Sequence, residues 1–289
     1  MGLRLKFNLV MIAVFLVGLG VTGFVSYELL HKNAQEEVLR NAGVMMEASL
    51  SMRSYTVAQV RPNLAVDPDK FLPQSVPAFG ATEIMSLLRK KYPDYAYKEA
   101  ALNPTNPRNR AVEWEADIVN AFRANPERGE ISGVRETPTG RSLYLARPFQ
   151  IKDGACLACH TNAEMAPVAM VKIYGPNNGF GWKLNEVIGA QIVSVPMDLP
   201  IRAANHAFVT FMTSLTVVFA VLFVILNIML TLMIVQPITR LSDAADRISK
   251  GKVDAEEFSD KGRDEVSQLG QAFNRMRRSL EKAISLIEK

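Results

Sequence analysis

The stretch Cys156-Leu157-Ala158-Cys159-His160 contains both cysteines of the 289-residue chain and one of its three histidines. Two thiols three positions apart, followed at once by a histidine, are the pattern of covalent c-type haem attachment. Each thiol can add to one vinyl group of the haem, and the imidazole of His160 can then bind the iron as an axial ligand. The pattern therefore predicts one covalent haem, held by Cys156, Cys159 and His160.

Two other uses of a Cys-x-x-Cys pair remain open at this point, a zinc site and a redox disulfide. A tetrahedral zinc site takes about four protein ligands, and the chain has no second cysteine pair. Its other histidines, His31 and His206, lie beside apolar runs at opposite ends of the central region. A thioredoxin-like disulfide would not need His160 and is expected near a βαβ pattern. We favour the haem, which requires an oxidising compartment outside the cytoplasm.

Two apolar runs flank the central region. Residues 8–30 carry Glu28 as their one charge, and residues 207–235 carry none. Each run is long enough to cross the roughly 30 Å hydrocarbon layer of a bilayer as a helix. A cleaved signal peptide is the alternative for the first run, but the run is longer than a usual signal sequence and has no clear small-x-small cleavage site. We therefore expect two membrane-spanning helices.

Basic residues stand at the outer ends of both runs. Arg4 and Lys6 precede the first run, and Arg240 and Arg247 follow the second. By the positive-inside rule this distribution puts both termini in the cytoplasm. We expect a two-pass protein of a bacterial inner membrane whose central region, with the Cys156–His160 motif, lies in the periplasm.

The central region predicts a small α+β domain. A stalk helix is expected to continue from the first span until Arg61-Pro62, and residues 62–80 are expected to form a loop. The further predicted elements are a helix Thr82–Lys91 with Thr82 as its N-cap, a strand Tyr95–Ala101, a helix Ala116–Phe122, a hairpin of Ile131–Val134 with Ser142–Pro148, and a strand Val187–Val195. This order indicates an antiparallel sheet with helices, of the PAS-like kind.

Several short motifs follow one another between residues 40 and 200. They are Asn103-Pro104-Thr105-Asn106-Pro107, Trp114-Glu115, Arg147-Pro148, the Cys156–His160 motif, Gly179-Phe180-Gly181-Trp182-Lys183, Val187-Ile188-Gly189-Ala190 and Val193-Ser194-Val195-Pro196. Together they resemble a bacterial family of single-haem c-type sensor domains, catalogued as a domain of unknown function and typified by a cyanobacterial haem protein. The resemblance implies a PAS-like fold with one covalent haem.

The resemblance leaves the sixth iron ligand open. In the typifying member of the family that ligand is a cysteine from elsewhere in the domain, and this chain has no third cysteine. A stalk-helix methionine, water or an empty position are the options. We favour Met52, because it precedes Arg53-Ser54-Tyr55-Thr56, which resembles the family's N-terminal helix motif. The alternative is that Met52, like Met45 on the same helix face, is apolar filler.

Four further residues are candidates for the haem pocket. Arg53 and Lys172 are predicted to meet haem propionates, and Tyr144 or Trp182 is predicted to pack on the ring. Their alternatives are surface cations and core aromatic residues.

The chain after the second span predicts two short helices joined by a polar connector. Ile238, Leu241, Ala245 and Ile248 form the apolar side of the first, which Gly251 ends. The second begins at Asp264-Glu265-Val266 and has apolar residues at near-heptad spacing, namely Val266, Leu269, Phe273, Met276, Leu280, Ile284 and Ile287. The arrangement is similar to the HAMP signal-relay module, which implies a homodimer because HAMP modules are four-helix bundles of two chains. An ordinary helical hairpin is the alternative.

The expected domains are residues 1–30, an N-terminal cytoplasmic stub and first span; 31–205, the periplasmic PAS-like haem domain; 206–235, the second span; and 236–289, the cytoplasmic HAMP module. Two functions fit. The first is a sensor that relays a redox or small-gas signal through HAMP to a separate output protein. The second is a membrane-tethered monohaem cytochrome serving a larger respiratory complex, favoured because nothing follows Lys289.

Two other function classes are not indicated. The net charge is +4, and acidic and basic residues are interspersed outside the membrane ends, so no nucleic-acid surface is predicted. No nucleophile constellation or acid–base pair has a recognisable spacing. We therefore expect no enzymatic activity.

Overall fold

The computed structural model describes residues 2–64, 70–251, 257–258 and 262–287, without the side chains of residues 284, 285 and 287. The chain divides into two compact units. One is Glu28–Ala207, and the other is made of Met1–Tyr27 together with Phe208–Lys289. We call them the outer unit and the membrane unit and describe each by itself.

Eight α-helices and four β-strands are found in the described part of the chain. The helices are α1 (Leu3–Tyr55), α2 (Pro77–Lys91), α3 (Glu113–Ala124), α4 (Leu157–His160), α5 (Val168–Tyr174), α6 (Asp198–Leu230), α7 (Gln236–Ser249) and α8 (Glu265–Ile287). The strands are β1 (Ala96–Ala101), β2 (Ile131–Thr137), β3 (Gly140–Gln150) and β4 (Val187–Pro196).

The strands form one antiparallel sheet in the order β1-β4-β3-β2. The hairpin β2–β3 closes at Thr137 opposite Gly140, as predicted. Strand β4 enters between β1 and β3, and its Val193 lies opposite both Tyr97 and Leu145. Because β4 is central and buried on both faces, its side chains are apolar at nearly every position.

Each face of the sheet carries its own apolar core. The α1 and α2 face buries Met46, Tyr97, Leu145 and Val193 among others. The α3 face buries residues that include Phe122 and Ile192. Neighbouring residues of a strand point to opposite faces, so this two-sided burial assigns each sheet residue to one of the two cores.

The structure corrects the expected start of α2. The helix begins at Pro77, and the Thr82 hydroxyl donates to the carbonyl oxygen of Ala78 one turn earlier at 2.8 Å. Thr82 is therefore inside the helix, and its prediction as the N-cap is wrong. Proline fits the first helical turn because the amide N–H that it lacks would have no helical partner there.

The predicted loop 62–80 is also shorter than expected. Short 3₁₀ turns cover Arg61–Asn63 and Pro73–Ser75, and α2 takes its last four residues. Residues 65–69 of that prediction lie outside the described part of the chain. Helix α1 ends at Tyr55 and continues as a π turn, Thr56–Val60, so helical backbone reaches the predicted break at Arg61-Pro62.

Two helical stretches in the described part of the chain are long and apolar enough to cross a membrane. They are Leu3–Asn63 and Asp198–Ser249, whose most apolar windows have mean hydropathies of 2.4 and 2.9. Within the membrane unit, Phe15 stacks on Phe219 with ring centroids 4.9 Å apart, and Tyr27 meets Phe208 edge-on at 5.6 Å. Aromatic pairs therefore join α1 and α6 at both ends of this contact.

The two helices predicted after the second apolar run are present, but one residue on the apolar side of the first differs from the prediction. Leu241 and Ala244 of α7 are buried, whereas Ala245 is exposed, so Ala244 replaces Ala245 on the apolar side within this chain. On α8 the buried side chains include Asn274 and Arg277. The predicted apolar seam residues Leu269, Met276 and Leu280 are exposed by 51%, 49% and 42%.

A connector residue explains why polar side chains are buried on α8. The Asn274 amide exchanges two hydrogen bonds with the backbone of Phe258, accepting from its N–H at 3.2 Å and donating to its carbonyl at 2.8 Å. The Phe258 ring meets Phe273 edge-on at 5.6 Å. One flank of α8 thus holds the connector and leaves the apolar seam uncovered in the single chain.

Candidate functional site

The two cysteines lie on consecutive short helical turns. Cys156 ends a 3₁₀ turn, Gly154–Cys156, and Cys159 lies in α4. The Asp153 carboxylate caps the first turn by accepting from the Ala155 N–H at 2.8 Å. Residues three apart on a helical turn share a face, so the local structure presents both sulfurs on one side of the motif.

Both thiols are half-buried. Burial raises the pKa of Cys156, the Asp153 carboxylate raises it further, and the positive charges of Arg61 and Arg53 lower it. Burial also raises the pKa of Cys159, against a lowering by Arg61. The thiol form of both groups is therefore favoured over the thiolate at neutral pH.

The imidazole of His160 is held through one of its two nitrogens. Its Nδ1 lies 2.7 Å from the carbonyl oxygen of Gly179. Because a carbonyl oxygen only accepts, Nδ1 must carry the proton, and the lone pair of Nε2 remains for a ligand bond. Burial lowers the pKa of His160 despite that hydrogen bond, so the neutral, ligating form of the ring is favoured.

The face of the same ring is covered by an aromatic side chain. The Trp182 indole stacks on the imidazole with centroids 3.9 Å apart and planes 15° from parallel. The backbone N–H of Trp182 also donates to the backbone carbonyl of His160 at 3.3 Å. The hydrogen bond to Gly179 and this stacking together fix the plane and the rotation of the imidazole.

The loop that carries Gly179 and Trp182 is itself clamped by the loop after β1. The Asn103 side chain accepts from the Gly179 N–H at 3.1 Å and donates to the Phe180 carbonyl at 3.2 Å. Gly179 has φ +83°, and a Cβ there would overlap the Thr105 hydroxyl. Two segments far apart in sequence therefore converge on His160.

The described residues contain no group of three or more His, Cys, Asp or Glu side chains placed to hold a metal ion. A zinc site of about four protein ligands thus has no ligand set in this part of the chain. Two neutral thiols on one side and a histidine with a free Nε2 are the donor set that c-type haem attachment needs. The residues present fit that group.

Arg53 is engaged with protein groups. Its guanidinium donates to the Glu99 carboxylate at 2.6 Å and lies 4.6 Å from the centroid of the Phe149 ring. Glu99 is only 3% exposed and also accepts from the Tyr97 hydroxyl at 2.8 Å. Burial, reinforced by the Glu99 charge, raises the pKa of Tyr97. Arg53 thus ties the end of α1 to β1.

The other predicted pocket residues are dispersed over the outer unit. Met52 lies against Gly80 of α2, and Lys172 is exposed on α5. Tyr144 packs in the α3-side core, 5.5 Å from Trp114 between ring centroids. Since Tyr144 and Phe149 point to opposite faces of the sheet, Tyr144 lies on the other face from Arg53. Trp182, by contrast, is beside His160.

Arg61 is a residue that sequence reasoning missed. Its charge acts on the pKa of both thiols, whereas the sequence suggests only that Arg61-Pro62 ends a helix. Its position just after the motif-like Arg53–Thr56 stretch was the available signal. Arg61 is one more cation near the two cysteines.

Comparison with known proteins gives two family matches. The family described as Tll0287-like (Tll0287) matches residues 31–196, and the family described as HAMP domain matches residues 229–282. No curated protein matches the chain. A similar solved structure is the crystal structure of the cyanobacterial haem-protein Tll0287, at 15% identity, covering 55% of this chain and 95% of that chain, with a TM-score of 0.45.

Proposed function

The chain belongs to the Tll0287-like family and carries a HAMP domain, and from this we propose that it is a membrane-anchored haem sensor. The observation that carries the proposal is the His160 clamp, in which the Gly179 carbonyl holds Nδ1 and leaves Nε2 for the iron. The haem, when bound, would supply an iron that changes oxidation state or binds a small gas. The role is non-enzymatic.

Attachment of the haem would use both thiols. The S–H group of Cys156 and that of Cys159 would each add across the C=C bond of one haem vinyl group to give a thioether, and His160 would be a ligand to the iron. Thr105, Asn103 and Trp182 would act through His160 by holding its ring and the Gly179 loop. Second-shell contacts of this kind orient a metal-binding histidine and raise its basicity.

The remaining pocket assignments rest on position. Met52 is proposed as the sixth ligand, and Arg53 and Lys172 as propionate partners. For Arg53 the proposal requires its guanidinium to be shared with Glu99, because breaking a buried ion pair is costly. Trp182 is the better-supported ring contact since it already lies against His160, while Tyr144 is the weaker one.

The relay would pass through the second apolar helix into the HAMP domain. We place the PAS-like domain in the periplasm, in a two-pass protein of the bacterial inner membrane with both termini in the cytoplasm. The exposed apolar residues of α8 support a homodimer, and a separate output protein would receive the signal. HAMP is then the two-state element that the sensor biases.

Covalent haem attachment is tested on the full-length protein, produced in bacteria with the c-type maturation machinery and purified in detergent. We expect haem absorbance that remains with the chain after acid–acetone extraction, and loss of that bound haem in Cys156→Ser and Cys159→Ser. His160→Asn should change the spectrum, and His206→Asn, outside the motif, should not. Extractable haem would contradict covalent attachment, and absence of haem would contradict the function.

Absorption spectra of the same purified protein distinguish a sensor from an electron carrier. Addition of CO or NO to the reduced protein is expected to change the spectrum if the sixth position is labile, as gas sensing requires. A tightly six-coordinate haem that a respiratory partner reduces rapidly would instead favour the monohaem cytochrome. Met52→Ala is expected to alter the spectrum of the reduced protein, and an unchanged spectrum would remove Met52 as ligand.

A further inference from the structure

The outer unit contains a cavity of about 520 Å³ that is lined by α2 and by the α3 face of the sheet. Side chains of the sheet, among them Lys98 and Ser194, line it together with Trp114 at the start of α3 and Arg135 of β2. Cys156, Cys159 and His160 are not among its lining residues. The cavity is therefore separate from the site described above, and its volume is in the range of small-molecule sites.

The lining of this cavity is rich in cations. It contains five basic side chains, Arg89, Lys98, Arg108, Arg135 and Arg141, against two acidic ones, Asp94 and Glu115. Lys98 is paired with Glu115 at 2.6 Å, and Arg108 with Glu83 at 2.7 Å. Within the ranges that the structure describes, the other three arginines form no ion pair. An anion would meet uncompensated positive charge here.

One of those arginines lies over the ring of Trp114. The Arg135 guanidinium lies 4.1 Å from the centroid of the Trp114 ring. A guanidinium stacked on an indole through its face keeps its N–H groups free to donate in its own plane. Such a fork matches the two oxygens of a carboxylate. The same indole gives the cavity an apolar wall, and the half-buried Ser194 adds a hydroxyl.

We propose that this cavity binds a small planar organic carboxylate, as a second input separate from the Cys156–His160 site. The carboxylate is bound by Arg135 and the apolar body of the ligand packs beside Trp114. Lys98 and Arg141 add positive charge, and Ser194 adds a hydrogen bond. The proposal does not depend on haem, so its failure and the failure of the haem sensor are separate results.

The test is calorimetric titration of the full-length protein in detergent, with its haem absorbance recorded on the same sample. Benzoate is the probe. Benzamide supplies the ring without charge, acetate the carboxylate without the ring, and phosphate an inorganic anion. We expect saturable binding of benzoate, weaker binding of acetate and phosphate, which lack the ring, and none of benzamide.

Substitutions of lining residues test whether benzoate binds in this cavity. Arg135→Gln is expected to weaken benzoate binding about tenfold or more, since a hydrogen bond to a charged group is lost. Lys90→Gln removes an exposed charge of α2 outside the lining and should leave the Kd unchanged. If Arg135→Gln fails to fold, Arg141→Gln at the exposed rim replaces it, with an expected severalfold loss.

Three results would overturn the proposal. They are absence of saturable benzoate binding, binding of benzamide as tight as that of benzoate, and equal weakening by Lys90→Gln and the arginine variants. The last would mean that the net positive charge attracts benzoate without a site.

Discussion

At the residue scale, the orientation of His160 depends on side chains and backbone that are distant in sequence. Its Nδ1 is held by the Gly179 carbonyl and its ring by Trp182. The five-residue motif identifies the histidine, but its reactive nitrogen is selected by the Gly179 loop. A substitution in that loop should therefore act on His160 without touching the motif.

Gly179→Ala is predicted to destabilise the outer unit by about 2–5 kcal/mol. A left-handed conformation costs an L-residue about 1–2 kcal/mol, and overlap of the new Cβ with Thr105 adds a cost of about 1–3 kcal/mol typical of overpacking. Urea unfolding followed by circular dichroism measures the change. The His160 resonances in an NMR spectrum should shift as the carbonyl moves away from Nδ1.

Gly175→Ala is the matched control for that prediction. Gly175 also has positive φ, +81°, but a Cβ there would meet nothing within 4 Å. With ψ 167° its backbone is in a region that L-residues rarely adopt, so only a conformational cost of about 1–3 kcal/mol is expected, with the His160 resonances unchanged. Equal effects of the two substitutions would mean that the contact with Thr105 is unimportant.

Arg53→Met is predicted to destabilise the outer unit by about 3–5 kcal/mol, because it leaves the buried Glu99 carboxylate without its ionic partner. Lys32→Ala breaks an exposed pair with Glu36, 3.8 Å apart, and should change the free energy of unfolding by less than about 1 kcal/mol. The double variant Arg53→Met with Glu99→Gln should recover part of the loss. A loss for Arg53→Met as small as that for Lys32→Ala would contradict the role given to this pair.

At the element scale, α8 has one side that contacts the connector and another that is apolar and exposed. Asn274 and Gly270 hold the connector residue Phe258 on one flank, and Leu269, Met276 and Leu280 lie exposed on another. The start of the helix is set by Asp264, whose side chain accepts from the Ser267 N–H at 2.7 Å. Asp264 is thus the N-cap of α8.

Acid is predicted to weaken this cap. Hydrogen bonds from the Ser267 side chain and backbone lower the pKa of Asp264 below its usual 3.8. A lowered folded-state pKa means that the stabilisation is present above the unfolded pKa and is lost as pH falls through the folded one. Ellipticity at 222 nm should therefore fall on acidification more in the natural chain than in Asp264→Asn.

The comparison with Asp264→Asn isolates the effect, because asparagine keeps a capping oxygen and does not titrate. Asp264→Ala should lose helical signal at every pH. Identical pH profiles for the natural chain and Asp264→Asn would show that the charge of Asp264 does not contribute to the start of α8.

At the scale of the whole molecule, the motif-bearing outer unit and the membrane unit share two helices, α1 and α6, which contribute residues to both. The membrane unit has an apolar seam on α8 that the single chain leaves exposed. Helix packing covers such seams by association. The proposed homodimer follows from that exposure.

Met276→Lys is predicted to shift the protein from dimer to monomer, because it places a charge at the centre of the exposed seam. Light scattering in detergent, corrected for the micelle, measures the mass. Ser279→Lys adds the same charge at an exposed site about 100° around the helix from Leu280, and should leave the dimer intact. A monomeric natural chain, or dissociation by both substitutions, would contradict a dimer through this seam.

The sequence by itself determined the features that depend on neighbouring residues. The Cys156–His160 spacing, the apolar runs, the β2–β3 hairpin and the start of a helix at Asp264 are local patterns, and short-range geometry suffices to predict them. The predicted start of α2 was wrong. Proline is common both in loops and in the first turn of a helix, so the sequence pattern around Pro77 was interpreted as a loop.

Only the tertiary structure decided which distant side chains and backbone groups are in contact. The Gly179 carbonyl on His160, the Arg53–Glu99 pair and the cavity beside Trp114 join segments of the chain that no periodicity relates. These contacts form because burial of both sheet faces brings α1, α3 and the Gly179 loop together, and buried polar groups must then find partners. The sequence pattern identifies His160 as a candidate ligand, but the packing of the folded chain determines that Gly179 and Trp182 orient it.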